Sequence, residues 1–240
     1  MKRIRRILYI LSCFLFPERC IFCNTVIEPL QLSCDSCRKE ISTVAPPLCP
    51  YCGANKKACG CQKKKHAYDR VVAPFYYEGS VRQGILRLKK WDDPQAIAFF
   101  ASQMAAALRR EQPELPFDGV CFLPMTKRDY RKREYNQSRL LAQKLAELLD
   151  LPLWDILTKI YETKPQKGLS RVARSGNVLG VFDVTQDVSG RSLLLVDDVV
   201  TTGATSHECA KMLKLYGADS VTVTAIAVTP PPKKETSAVE

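Results

Sequence analysis

Two sets of residues have the types and the spacing to do chemistry. The first lies in "LLLVDDVVTTGATS", residues 193 to 206, where two adjacent acids, Asp197 and Asp198, end an apolar run and small hydroxyl residues and a glycine follow at once. Leu193 to Val196 are apolar at every position, as a central parallel strand buried on both faces should be, and ligands of open α/β sheets bind beyond the carboxyl ends of such strands. Thr201, Thr202, Gly203, Ala204 and Thr205 then lead into a helix, and the free backbone N–H groups and positive dipole end of such a turn favour a phosphate. The chemistry proposed is that of a sugar phosphate, with the phosphate on the turn and sugar hydroxyls or a metal on the acids. A Walker B element has the same strand and acids but needs a GxxxxGK[ST] partner, and no Gly-Lys dipeptide occurs in the chain. A two-metal nuclease site would leave the hydroxyl and glycine turn idle.

The second set is Cys20, Cys23, Cys34, Cys37, Cys49, Cys52, Cys59 and Cys61, crowded into 42 residues, while Cys13, Cys121 and Cys209 stand apart. The pattern is C-x2-C-x10-C-x2-C, eleven residues, then C-x2-C-x6-C-x-C. Two CxxC knuckles at that distance suit tetrahedral Zn2+, each turning two sulfurs toward one ion. The second quartet is less regular, because one residue separates Cys59 from Cys61; it forms its own site, exchanges partners with the first, or binds poorly, giving one or two zinc ions. Four thiolates leave no open position, so the role is structural. Disulfides are the competing reading, and a basic chain with no credible export signal belongs in the reducing cytoplasm, where they are rare.

The elements that must hold these residues can be read from periodicity. "VVAPFYY" is strand-like, "SVRQGILRLKKW" and a segment from about Pro94 to Arg110 are helical, "GVCFLP" is a buried strand, and "NQSRLLAQKLAELLD" is an amphipathic helix. "SLLLV" is another buried strand, "TGATSHECAKMLKLYG" a helix ending at Gly217, and "SVTVTAIAV" a last strand. Strands alternating with helices imply a parallel α/β sheet with helices on both faces. The expected organisation is an N-terminal apolar helix over 1–17, a zinc-binding module over 18–66, an α/β domain over 67–229 and a disordered tail over 230–240. His66 reads as a spare ligand or a linker residue, His207 as a solvated helix residue, and Lys89, Lys90 and Trp91 as an ordinary helix end.

The 240 residues, 46% hydrophobic, can bury one full core plus a small module, and the composition excludes a disordered chain. The formal charge of +11, from 36 Lys and Arg against 25 acids, favours phosphate-rich partners; eight thiolates on two zinc ions would lower it to about +7. "MKRIRRILYILSCFLFP" has a basic head and a ten-residue apolar run from Ile7 to Phe16, too short for a membrane span. It lacks a small-x-small cleavage site and reads as a helix docked on the next module or lying on a surface.

A charge run follows the "GVCFLP" strand: "LPMTKRDYRKREYNQSRLLA" carries Lys127, Arg128, Arg131, Lys132, Arg133 and Arg139 against Asp129 and Glu134. "LLLVDDVVTTGAT" resembles the PRPP-binding motif of type I phosphoribosyltransferases. With "FPERCIFC", the cysteine knuckles, "VRQGILRLKKW", "LPMT…NQ…LLA" and "TKPQKGLSRVARSGNVLGVF" in order, nearly the whole chain is similar to the ComF family, of the ComFC and GntX type, associated with DNA uptake. The resemblance implies a type I phosphoribosyltransferase fold behind a zinc ribbon. It places Asp197 and Asp198 on the ribose 2′ and 3′ hydroxyls and Thr201 to Thr205 around the 5′-phosphate. Pro124, Met125, Thr126, Lys127 and Arg128 would hold the pyrophosphate of PRPP with Mg2+. Arg131, Lys132, Arg133, Asn136, Gln137, Gln166 and Arg174 would serve a lid or nucleic-acid contact; for the segment carrying Gln166 and Arg174 a structural hairpin is the alternative. The family's habitual RGFNQ stands here as "REYNQ", with Glu134 in place of glycine. Implied partners are PRPP or a related sugar phosphate, single-stranded DNA, and competence or recombination proteins. The alternative to a PRPP-dependent transferase is a single-stranded DNA-binding protein retaining the pocket, for which Tyr130 and Tyr135 are the best placed stacking aromatics.

Overall fold

The computed structural model describes residues 17–61, 66–125, 135–159 and 182–232. The N-terminal apolar run, the basic run from Thr126 to Glu134, the segment with Gln166 and Arg174, and residues 233–240 lie outside them.

Five parallel strands make the main sheet: β1 (Arg70–Val72), β2 (Phe75–Tyr76), β3 (Gly119–Phe122), β6 (Ser192–Val200) and β7 (Ser220–Val228). The order is β1-β7-β6-β3, with β2 also paired to β7. "VVAPFYY" thus becomes two short strands, because Pro74 between them has no N–H to give to a ladder. Every residue from Val221 to Val228 is buried, as is the run from Leu193 to Val196. Successive side chains on a strand point to opposite faces, so both faces of the sheet are covered. An antiparallel pair stands apart, β4 (Leu157–Lys159) with β5 (Phe182–Val184), with Lys159 opposite Phe182; the sequence pattern predicted neither strand.

The helices are α1 (Asp35–Lys39), α2 (Gly79–Leu88), α3 (Pro94–Glu111), α4 (Gln137–Leu149) and α5 (Ala204–Leu215). The start of α3 is fixed by local chemistry: Asp93 Oδ1 accepts from the N–H groups of Gln95 and Ala96, both at 3.1 Å, and Pro94 takes the first helical position. α3 and α4 pack on each other, α3 lying against β1 and β7 and α4 against β3 and β6, while α5 lies against β5, β6 and β7.

The cysteine-rich module shares the main core. Phe22 meets the rings of Phe99 and Phe100 edge-on at 5.8 and 6.0 Å, and such pairs are worth about 0.5–1.5 kcal/mol each beyond their area. Gly84 of α2 lets this happen: a Cβ there would stand 2.9 Å from Phe22 and 3.1 Å from Phe100. Backbone bonds from Val44 N to Pro74 O (2.8 Å) and from Val71 N to Pro50 O (3.0 Å) stitch the module to the first strands. No helix among the described residues is long and apolar enough to cross a membrane.

Candidate functional site

The carboxyl ends of β3 and β6 coincide. Phe122 is in register with Val196, and Leu123 N donates to Val196 O at 3.0 Å. Half-buried Pro124 and Met125 follow just beyond that end of β3; Thr126, Lys127 and Arg128 lie outside the described residues. β6 runs on through both acids to Val200, longer than the apolar run alone predicts.

The two carboxylates have different surroundings. Asp197 is only 8% exposed; it accepts from Asp198 N at 2.7 Å and from Ser206 Oγ at 3.5 Å. Burial, then the charge of Asp198, pushes its carboxyl well above the usual carboxylate range. Asp198 is more open and receives the ammonium of Lys89, Nζ to Oδ2 2.7 Å. Lys89 caps the carboxyl end of α2, and Tyr135, just after the basic run in sequence, holds that end by donating its hydroxyl to Leu88 O at 2.9 Å.

Beyond the acids the chain turns through Gly203 at φ +73° into α5. Thr201, Thr202, Ala204 and Thr205 are exposed, and Gly203 and Ser206 are buried. A left-handed residue is costly for anything but glycine, and here a Cβ would also run into Tyr68 Oη. Glycine supplies no capping side chain, so the first turn of α5 offers N–H groups at the positive end of its dipole. Tyr68 Oη donates to Tyr51 O at 3.2 Å, inside the second cysteine quartet. His66 stacks on Tyr68 with centroids 4.7 Å apart, and Ala67 N donates to His207 Nδ1 at 2.8 Å. The two histidines therefore meet beside the turn at Gly203, where nothing in their sequence neighbourhoods placed them.

The eight module cysteines fall into two clusters, Cys20, Cys23, Cys34, Cys37 and Cys49, Cys52, Cys59, Cys61, the sulfurs of each lying within 4.8 Å of one another. Four sulfurs each about 2.3 Å from one tetrahedral ion stand about 3.8 Å apart. Cys23 to Cys34 is 3.7 Å, Cys49 to Cys61 3.8 Å and Cys59 to Cys61 3.7 Å, so both sets fit Zn2+ and no partners are exchanged between them. The leading knuckles are built alike. Cys20 N bonds Thr25 O and Asn24 N bonds Cys20 O, while Cys49 N bonds Ala54 O and Gly53 N bonds Cys49 O; Asn24 and Gly53 both take positive φ, 69° and 74°. Cys121 and Cys209 are buried in the α/β core.

Of the residues expected at a lid or nucleic-acid contact, Asn136 and Gln137 are among the described residues. Gln137 is 2% exposed at the start of α4. Asn136 caps α4 by accepting from Ser138 N at 3.0 Å, and its amide donates to Leu123 O at 3.0 Å, tying the start of α4 to the end of β3. Tyr135, counted as a stacking aromatic, donates its hydroxyl to Leu88 O. Arg131, Lys132, Arg133, Gln166 and Arg174 lie outside the described residues. Sequence reasoning missed Lys89 and Tyr68, whose approach to the site is long-range.

Two family descriptions match the chain: a phosphoribosyl transferase domain over residues 136–238 and a double zinc ribbon domain over residues 11–68. Competence protein F of Haemophilus influenzae is 30% identical over 226 residues, covering 88% of this chain and 97% of that protein. The DNA utilization protein YhgH of Salmonella typhimurium is 32% identical over 222 residues, 86% of this chain and 95% of its own. Competence protein ComFC of Bacillus subtilis is 24% identical over 201 residues, 78% and 80% respectively.

Proposed function

The chain belongs to the ComF family of competence and DNA utilization proteins, a type I phosphoribosyltransferase domain behind a double zinc ribbon, and on that premise we propose that it binds PRPP or a related ribose 5-phosphate at the carboxyl end of β6. One observation carries the reading: the acids and the exposed turn from Thr201 to Thr205 occupy the same strand end, next to the end of β3. The 5-phosphate would rest on the turn N–H groups, the ribose hydroxyls on Asp197 and Asp198, and the pyrophosphate on Pro124 to Arg128. With an acceptor, the bond from C1 to the pyrophosphate oxygen breaks, pyrophosphate leaves with the electron pair, and the acceptor's lone pair closes on C1 from the opposite face. Placement and stabilisation of the leaving group would supply most of the rate.

A second reading, single-stranded DNA binding, is favoured by Trp91. It is 58% exposed, with Arg87 and Lys90 each within 6 Å of its ring centroid, and an exposed ring among cations offers a stacking platform for a base.

Calorimetric titration of the zinc-loaded protein with ribose 5-phosphate, and with PRPP plus Mg2+, tests the first reading. Binding should be lost in the Asp197→Asn/Asp198→Asn protein, and wild type that binds neither ligand refutes it. A single-stranded DNA titration over a salt series runs alongside. DNA affinity that survives the double substitution and falls steeply with salt places those contacts away from the acids.

A further inference from the structure

Adjacent carboxylates at the mouth of a phosphate site invite the assumption that they hold Mg2+. The described residues do not fit a free divalent cation. Lys89 Nζ sits 2.7 Å from Asp198 Oδ2, within direct hydrogen-bonding distance of a carboxylate oxygen that a metal would use. Asp197 is buried, with Oδ1 taken by the Asp198 N–H and Oδ2 facing the Ser206 hydroxyl.

The ammonium is held in place by the fold. Lys89 follows the last turn of α2, the Tyr135 hydroxyl fixes the Leu88 carbonyl one residue earlier, and Arg87, two residues before, reaches Cys20 O at 3.4 Å and Asp93 at 4.0 Å. The Lys89 and Asp198 side chains are 26% and 17% exposed, so water screens the pair only in part. The buried Asp197 makes a cation at this point more favourable still.

We propose that Lys89 is the resident counter-ion of the acidic pair and excludes a free divalent cation from it, so that metal enters only with an anionic sugar ligand whose phosphates draw Lys89 away. Asp198 is then released to the sugar when the ligand arrives. The inference rests on the sugar-phosphate reading for its second half only, since exclusion of the bare cation concerns Lys89 and the acids alone.

The test is Mn2+ binding, read by electron paramagnetic resonance on the full-length, zinc-saturated protein without sugar. Wild type and Lys89→Arg should bind Mn2+ weakly. Lys89→Gln, and Lys89→Met as a second neutral variant that keeps the side-chain stem, should bind it at least about tenfold more tightly, and the added Asp198→Asn substitution should abolish the gain. Melting curves establish that each variant is folded. With ribose 5-phosphate or PRPP present, wild type should take up Mn2+ at the affinity of the neutral variants. Equal sugar-free affinity in wild type and the neutral variants overturns the proposal, as does a gain that survives Asp198→Asn. Ribose 5-phosphate titrated without metal reports separately on the sugar site: failure there sinks the functional reading and leaves the sugar-free Mn2+ comparison standing.

Discussion

Replacing Gly203 with alanine tests whether the proposed phosphate-binding turn is locked to the zinc module through Tyr68. Gly203 has φ +73°, a region that costs a non-glycine residue about 1–2 kcal/mol. Its new methyl group would also meet Tyr68 Oη. Tyr68 is 5% exposed and tied to Tyr51 O, so the collision is an overpacking of about 1–3 kcal/mol. Gly203→Ala should therefore cost about 2–5 kcal/mol in all. The next Tyr68 atom, Cζ, lies 3.4 Å from the added Cβ, an ordinary contact. Removing only the hydroxyl should thus erase the collision: Tyr68→Phe alone loses one hydrogen bond, about 1 kcal/mol, and Gly203→Ala in the Tyr68→Phe background should cost only the backbone strain. The double-mutant cycle, read by urea unfolding of the zinc-saturated proteins, should show a coupling of about 1–3 kcal/mol, the double variant being more stable than the sum of the single losses implies. Ribose 5-phosphate affinity should fall in Gly203→Ala and recover in part when Tyr68→Phe is added. Additivity within about 0.5 kcal/mol would refute the contact.

Asp197→Asn should raise the melting temperature at pH 7. The folded carboxyl titrates above its unfolded value, so the native state binds the extra proton between the two values and stability falls as pH rises through that interval; the gain should shrink toward about pH 4, and a gap independent of pH would contradict the assignment. Metal analysis should give two Zn2+ per chain, one for each quartet, and Cys49→Ser should lower the content to one and the melting temperature with it; content still at two would exclude the second quartet as an independent site.

The order of elements, the parallel sheet and the strand carrying the acids were legible because each rests on local periodicity. The run from Leu193 to Val196 is fully buried as an unbroken apolar stretch requires, and the Cys-x2-Cys knuckles close because four residues suffice to make the turn. What escaped the sequence was whatever depends on distant segments meeting. Lys89 looked like any cation closing an amphipathic helix, a position where positive charge suits the dipole; only the meeting of that helix end with distant β6 brings its ammonium to Asp198. His66 and His207 stand 141 positions apart and meet because Tyr68 and α5 converge. β4 and β5 were missed for a different reason. Three residues each cannot display a period, and their partner strand is on the far side of a segment of 22 residues.

The position of the zinc module follows from the same contacts and bears on its role. Its two leading knuckles repeat one backbone pattern, yet they face different parts of the site. The first lies behind α2, where Gly84 admits Phe22 and the Cys20 carbonyl takes the Arg87 guanidinium, two residues from Lys89. The second holds Tyr68 through the Tyr51 carbonyl, directly beneath Gly203. A ribbon attached only to present a surface to DNA would need neither contact, and α2 could then carry an ordinary alanine at position 84. Both close approaches instead depend on glycine, one for a ring and one for a hydroxyl. Metal that fixes the knuckles therefore fixes two walls of the candidate sugar-phosphate site: Lys89 by way of α2, and the turn at Gly203 by way of Tyr68.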